Sequence, residues 1–316
     1  MNRKRLSEIA FGLLGLGLFC LSVWVIGHEL RQYKQQDILS SIEAISTPRL
    51  LGSIALTLLN YWLLTGYDLL ALRYIRRSLP YRRIVLTTII SYAISNSVGF
   101  AVLTGGAIRY RLYSLWGMGA IDIARIVAFS NLGFWIGLFA VGGVVFWLEP
   151  IAIPDLLRLP FDTVQPISVL FLALVVGYLI SSFVSQRSIK IGRWVVPHLP
   201  LNLSLLQILL TSLDWALAGG VLYVLLPSGS GISFPAFFGV YLLGQMAGLV
   251  SHVPGGLGVF ETIVLLLLEP SISAVDLVGA LLAYRGIFYF LPLAVALVLL
   301  GFYEVKQQVL RRPPSR

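Results

Sequence analysis

Apolar runs long enough to cross a bilayer recur along this chain, and no other feature restricts its fold as strongly. They fall at roughly 9–27, 50–72, 121–147, 166–184, 204–226 and 274–303, with further apolar segments at 84–103 and 234–251. A span needs about 20 apolar residues, because the hydrocarbon core is roughly 30 Å thick. Its backbone must bond internally, so each run is read as a helix. Of 316 residues, 58% are hydrophobic and 12% charged, about half the charge density of soluble domains. The sequence therefore predicts an all-α, polytopic membrane helix bundle. Residues 1–316 read as a single integral membrane domain, with no room for a soluble one beside it.

The formal net charge is +9. Most Lys and Arg fall in short loops between apolar runs, which points to topology and anionic headgroups rather than to nucleic acid. Arg3, Lys4 and Arg5 precede the apolar run from Ile9 to Ile26 with no small-x-small cleavage pattern after it, so the first run is read as an uncleaved span. Residues 28–48 place Leu30, Tyr33, Leu39, Ile42 and Ile45 at near-helical spacing among charges, as in a helix lying in the interface. Cys20 stands alone, and His28, His198 and His252 lie far apart, so no disulfide, metal site or other cofactor is expected. The absence of a Walker loop speaks against ATP hydrolysis.

Charge bias decides between topologies. If every apolar run crosses fully, the loop holding Arg187, Lys190 and Arg193 falls outside, against the positive-inside rule. If 84–118 is instead a re-entrant hairpin from the cytoplasm and 234–268 one from the outside, both termini and nearly all loop arginines become cytoplasmic. That scheme suggests an inverted-topology repeat, 50–147 and 204–303. Each half holds an acidic span residue (Asp68, Asp214), a tyrosine (Tyr92, Tyr241), a glycine pair (Gly105-Gly106, Gly255-Gly256) and a following charge (Arg109, Glu261). Transporters of this kind place substrate between the repeats, at broken helices near the midplane.

Ionisable residues inside a bilayer are costly, and each needs a partner or a wet cavity. Arg109 is read as lying in the first turn after Gly105-Gly106, where an anion would relieve its conflict with the helix dipole. Tyr113 shares its face at i+4, whereas Arg111 points elsewhere and is read as snorkelling to the interface. Asp214 lies deep in its span, and Arg285 is its candidate partner. Asp68 lies about one turn from a cytoplasmic end, a position open to interface exposure. Glu261 is a first-turn acid after a Pro-Gly-Gly turn. Asp122 and Arg125 read as a local i, i+3 pair. Gly133-xxx-Gly137 and Gly244-xxx-Gly248 suit close helix packing.

Three stretches together carry a resemblance: Gly105-Gly106-Ala107-Ile108-Arg109-Tyr110-Arg111-Leu112-Tyr113, Val253-Pro254-Gly255-Gly256-Leu257-Gly258-Val259-Phe260-Glu261, and Ala283-Tyr284-Arg285-Gly286-Ile287-Phe288-Tyr289. In this order the chain resembles the lysylphosphatidylglycerol synthase transmembrane family, which includes the flippase domain of MprF-type proteins and YbhN-type bacterial inner-membrane proteins. The resemblance implies a lipid translocase fold with two re-entrant hairpins, and it places functional charges on Asp68, Arg109, Asp214 and Glu261. It also implies a multi-pass protein of the bacterial inner membrane. Two-domain members carry a soluble acyltransferase-like domain after the membrane part. Here the chain ends at Arg316 after the last span, so lysyl transfer is not expected; the chain is read as a non-enzyme, with an intramembrane enzyme as an alternative.

The expected function is a flippase-like translocase that moves a phosphate-bearing lipid between leaflets, with an anionic or zwitterionic phospholipid or another lipid-phosphate as partner. Its substrate-binding set would be Asp68, Gly105, Gly106, Arg109, Asp214, Glu261 and Arg285. The alternatives are an intramembrane enzyme acting on a lipid-linked substrate and a partner subunit of a lipid-modifying enzyme. A homo-oligomer is compatible with either.

Overall fold

The computed structural model describes residues 40–99, 101–151, 163–184, 189–191, 194–196, 199–227, 229–251 and 253–311. The expected first span at 9–27, the interfacial segment up to residue 39, Arg187, Arg193 and all three histidines lie outside these residues. The described chain is helical: α1 (Thr47–Tyr74), α2 (Tyr81–Val98), α3 (Ala101–Leu115), α4 (Ala120–Leu148), α5 (Gln165–Val184), α6 (Leu201–Leu225), α7 (Phe234–Ser251), α8 (Val259–Leu268), α9 (Ala274–Tyr284) and α10 (Leu291–Arg311). The one departure is an antiparallel ladder of two three-residue strands, β1 (Ile189–Ile191) and β2 (Trp194–Val196), paired Ile189 to Val196.

Six helical stretches among the described residues are long and apolar enough to cross a membrane: α1, α4, α5, α6, α7 and the continuous run from Ala274 to Tyr303. Their boundaries follow local chemistry. Pro48 sits in the first turn of α1, where its missing N–H is not needed. Pro80 precedes α2 and Pro200 precedes α6. Asp122 occupies the first turn of α4, where the dipole favours an acid. Ser273 caps α9 by accepting the Asp276 N–H. Between α9 and α10 the helix widens over Arg285–Phe290, and the Leu291 N–H bonds to the Gly286 carbonyl five residues back. Pro292 lacks the N–H that would bond the Phe288 carbonyl, and the wider turn absorbs its ring.

The burial pattern is inverted relative to a soluble protein. Leu58, Trp62, Phe183 and Val250 are exposed, while Asn60, Asp68, Arg109, Gln207, Thr211 and Arg285 are buried. An aromatic core of Phe146, Phe237, Tyr241, Phe260, Tyr284 and Phe288 joins α4, α7, α8 and α9. Ser41 and Ile45, expected in an interfacial helix, are buried, and Ser41 packs against Gly279 of α9.

Helices α1 and α6 lie antiparallel in close contact. Arg49 at the start of α1 donates to the carbonyls of Val224 and Leu225 at the end of α6, Asn60 reaches Asp214 in the middle, and Gly66 faces Leu210 further on. Helices α2 and α3 pack on each other, as do α7 and α8. The ends of these two pairs meet: Gly255 lies against the carbonyls of Asn96 and Ser97.

Glycines set the closest approaches. A Cβ on Gly137 of α4 would stand 2.5 Å from Thr211 Oγ1 and 3.0 Å from its carbonyl carbon on α6. The obstacle includes backbone, so it cannot swing aside. Gly137→Ala is therefore expected to destabilise the protein by about 1–3 kcal/mol, the range for overpacked interiors. A lowered thermal midpoint in detergent checks this, and an unchanged midpoint would show that α4 and α6 separate freely.

Candidate functional site

The first arm of the site is a buried carboxylate on α1 facing an arginine on α3. Asp68 is 0% and Arg109 4% exposed. Arg109 donates from Nε to both Asp68 oxygens at 3.2 Å and from Nη2 to Oδ1 at 3.0 Å. Tyr113, one turn after Arg109, donates its hydroxyl to Asp68 Oδ2 at 2.6 Å. The guanidinium also lies 4.7 Å over the Tyr92 ring of α2.

Two expectations change here. Asp68 is fully buried rather than open to the interface. Gly105 and Gly106 do not start a helix, because α3 begins at Ala101 and the turn lies at Gly99. Arg109 is roughly two turns into its helix, so the helix dipole gives no reason for an anion there. Gly105 instead makes room: a Cβ on it would stand 3.2 Å from Arg109 Nη1 and 3.4 Å from Ser95 Oγ.

The second arm is Asp214 on α6. Its Oδ1 accepts from Asn60 Nδ2 at 2.8 Å and its Oδ2 from the Tyr67 hydroxyl at 2.8 Å. Asn60 also donates to the Asp214 carbonyl at 3.0 Å. The expected pairing with Arg285 does not form. Among the described residues Asp214 has only neutral hydrogen-bond donors.

Arg285 belongs to a third cluster. Its Nε and Nη2 lie 2.7 and 2.6 Å from Glu261 Oε1, and its Nη1 donates to the Gly255 carbonyl at 2.8 Å. It stacks 4.6 Å over Tyr289. Glu261 Oε2 accepts the Gly258 N–H at 2.8 Å, as expected of a first-turn acid. Gly255 and Gly256 have φ of 60° and 62°, a left-handed turn that side chains disfavour. Arg285 thus ties a glycine turn, a helix start and the widened helix together. On the surface Asp122 contacts Arg125 at 3.6 Å, as its spacing suggests, and also Arg77 at 3.0 Å.

A cavity of about 500 Å³ lies between these clusters. Arg109 and Asp214 both line it, with Asn60, Asn96, Asn131 and Gln245 as further polar groups and Trp135, Trp215 and Tyr289 among the aromatic ones. Gly255 contributes to the wall, while Asp68, Gly105, Gly106, Glu261 and Arg285 stand behind it or away from it. The amides were missed because the sequence reading followed charges. Asn60, Asn131 and Gln245 in apolar runs were the available signal.

Six bilayer-length helices, with buried polar groups and a largely apolar cavity that carries a few polar side chains, define a multi-pass membrane protein. The chain belongs to the family described as "Lysylphosphatidylglycerol synthase TM region", which it matches over residues 12–296. It is 50% identical to the uncharacterized protein slr0712 of Synechocystis sp., over 96% of this chain and 94% of that protein. It is 30% identical to the inner membrane protein YbhN of Escherichia coli, over 87% of this chain and 86% of the relative. A phosphatidylglycerol lysyltransferase of Staphylococcus haemolyticus is 24% identical over 95% of this chain, which covers 35% of that longer protein.

Proposed function

We propose that this protein moves a phosphate-bearing lipid between the leaflets of the bacterial inner membrane. The observation that carries the proposal is the cavity, whose wall holds a cationic Arg109 and several neutral amides. A guanidinium and several N–H donors suit a phosphodiester. The aromatic and aliphatic walls suit acyl chains. Asp68 would hold Arg109 in place rather than touch the lipid, and the Glu261–Arg285 cluster would fix the turn at Gly255.

The reading assigns α2–α3 and α7–α8 to two re-entrant hairpins of opposite sense, with both termini cytoplasmic. The antiparallel packing of α1 on α6 and the meeting of Gly255 with the end of α2 support an inverted repeat, since both place the pseudo-symmetric elements face to face. The relatives named for lysyl transfer are larger than this chain.

The test uses purified protein in liposomes holding fluorescent phosphatidylglycerol, with a membrane-impermeant quencher added outside. Wild type is expected to expose inner-leaflet lipid to quenching. Arg109→Ala and the cavity-filling Asn131→Trp are expected to slow this about tenfold, equivalent to about 1.4 kcal/mol. Equal rates in wild type, both variants and empty liposomes would overturn the proposal. New lipid species in mass spectra after expression would favour an enzyme instead.

A further inference from the structure

Helix α2 carries a row of hydroxyls that lipid binding does not use. Thr87, Thr88 and Ser91 are each 0% exposed, and their hydroxyl oxygens have no partner among the described residues. Serines and threonines elsewhere in these helices satisfy themselves by donating to a carbonyl three or four residues back, as Ser53, Thr57 and Ser97 do. Thr87, Thr88 and Ser91 do not. A buried hydroxyl without a protein partner can take a water as its partner.

The row has direction. Thr88, Ser91 and Ser95 recur at helical spacing along one side of α2, and Thr88 to Ser95 covers about 10 Å of axis. Thr88 follows the exposed Arg82 and Arg83 at the start of α2 by about 8 Å of helix axis. The other end, Ser95, lines the cavity. In the cavity wall Asn60 Oδ1 also lacks a partner among the described residues.

The charges around the cavity do not balance. Asp68 is neutralised by Arg109 and Glu261 by Arg285. Asp214 faces the phenols of Tyr61 and Tyr67 from α1, Tyr92 from α2 and Tyr241 from α7. Ser130 and Asn131 of α4 and Gln245 of α7 line the same cavity and carry no charge. Tyr284 of α9 is bonded to Tyr241. The cation in the cavity wall, Arg109, is held by Asp68. A carboxylate left alone at membrane depth is costly and becomes neutral on gaining a proton.

We infer that Asp214 takes up and releases a proton in each transport cycle, and that the hydrated hydroxyl row on α2 is the route by which the proton reaches it. A proton from water at the Arg82–Arg83 end adds to an Asp214 carboxylate oxygen, giving the neutral acid. The same proton leaves to water on the opposite side as the lipid is released. Neutral Asp214 removes the repulsion that an anionic phosphate would meet in the cavity. The inference rests on the lipid-translocation reading and supplies its driving ion.

The test places the protein in liposomes with fluorescent phosphatidylglycerol in the membrane and a trapped pH-sensitive dye, under a pH gradient of either sign. Wild type is expected to move lipid about tenfold faster in one gradient direction and to admit protons as it does so. Asp214→Asn loses both responses. Thr88→Val with Ser91→Ala keeps gradient-free lipid exchange and loses the gradient response; both changes remove only unpartnered hydroxyls, so folding is preserved. A wild-type rate indifferent to pH, or one that follows a sodium gradient instead, overturns the inference and leaves the lipid reading intact. A full gradient response in the Thr88→Val, Ser91→Ala protein overturns the route. Proton entry that depends on Asp214 without lipid movement supports the proton site and sinks the lipid reading.

Discussion

Replacing Asp68 with alanine is expected to destabilise the protein by about 3–5 kcal/mol, the range for removing one partner of a buried ion pair. Three donor groups converge on this carboxylate: Arg109 Nε, Arg109 Nη2 and the Tyr113 hydroxyl. Without it the guanidinium stays at membrane depth with its charge uncompensated, and Tyr113 loses an acceptor. Most of the penalty comes from the stranded cation, not from the lost attraction. The double variant Asp68→Ala, Arg109→Met should therefore recover much of the lost stability, because an apolar pair of similar volume needs no partner. Thermal midpoints of the detergent-solubilised proteins check both statements. Equal instability of single and double variants would show that the pair acts through packing alone. Lipid movement should stay low in the double variant even where folding recovers, since Arg109 is the cation that lines the cavity.

Arg285→Ala is expected to cost about 3 kcal/mol, the low end of the same range. Glu261 retains 22% exposure and keeps its bond to the Gly258 N–H, so it is less stranded than Arg109 would be. The structural consequence is local. The Gly255 carbonyl loses its donor, and Tyr289 and Phe260 lose the cation stacked on them. Gly255 and Gly256 form part of the cavity wall. The left-handed turn at these residues should loosen, and proteolysis or hydrogen exchange over 253–261 should rise selectively. Uniformly faster exchange across all helices would point instead to global destabilisation. Arg285→Lys keeps the charge but not the forked geometry that reaches Glu261 and the Gly255 carbonyl at once, so it should rescue only in part.

The helices were readable because bilayer thickness fixes their length. Runs predicted at 50–72, 121–147, 166–184, 204–226 and 274–303 correspond to α1, α4, α5, α6 and the joined α9–α10. Breaks were less readable. The glycine pair at 105–106 reads as a helix start, yet the helix runs through it and the break lies at Gly99. Glycine serves two purposes, freedom of φ and absence of bulk, and the sequence does not distinguish them. Gly99 and Gly255 use the first, Gly105 and Gly137 the second.

The sequence by itself determined a multi-pass all-α membrane protein, its family, and the few ionisable residues that a bilayer would not tolerate without cause. Hydrophobic length and the cost of buried charge are local properties, legible one segment at a time. Only the tertiary structure decided the partners. Asp68 went to Arg109, Glu261 to Arg285, and Asp214 to Asn60 and Tyr67. Pairing depends on which helices lie side by side and on their rotation, and residues 41 and 154 positions apart carry no periodic signal that links them. Among the described residues the same packing left one acid without a cation beside the cavity, which no single segment could have shown.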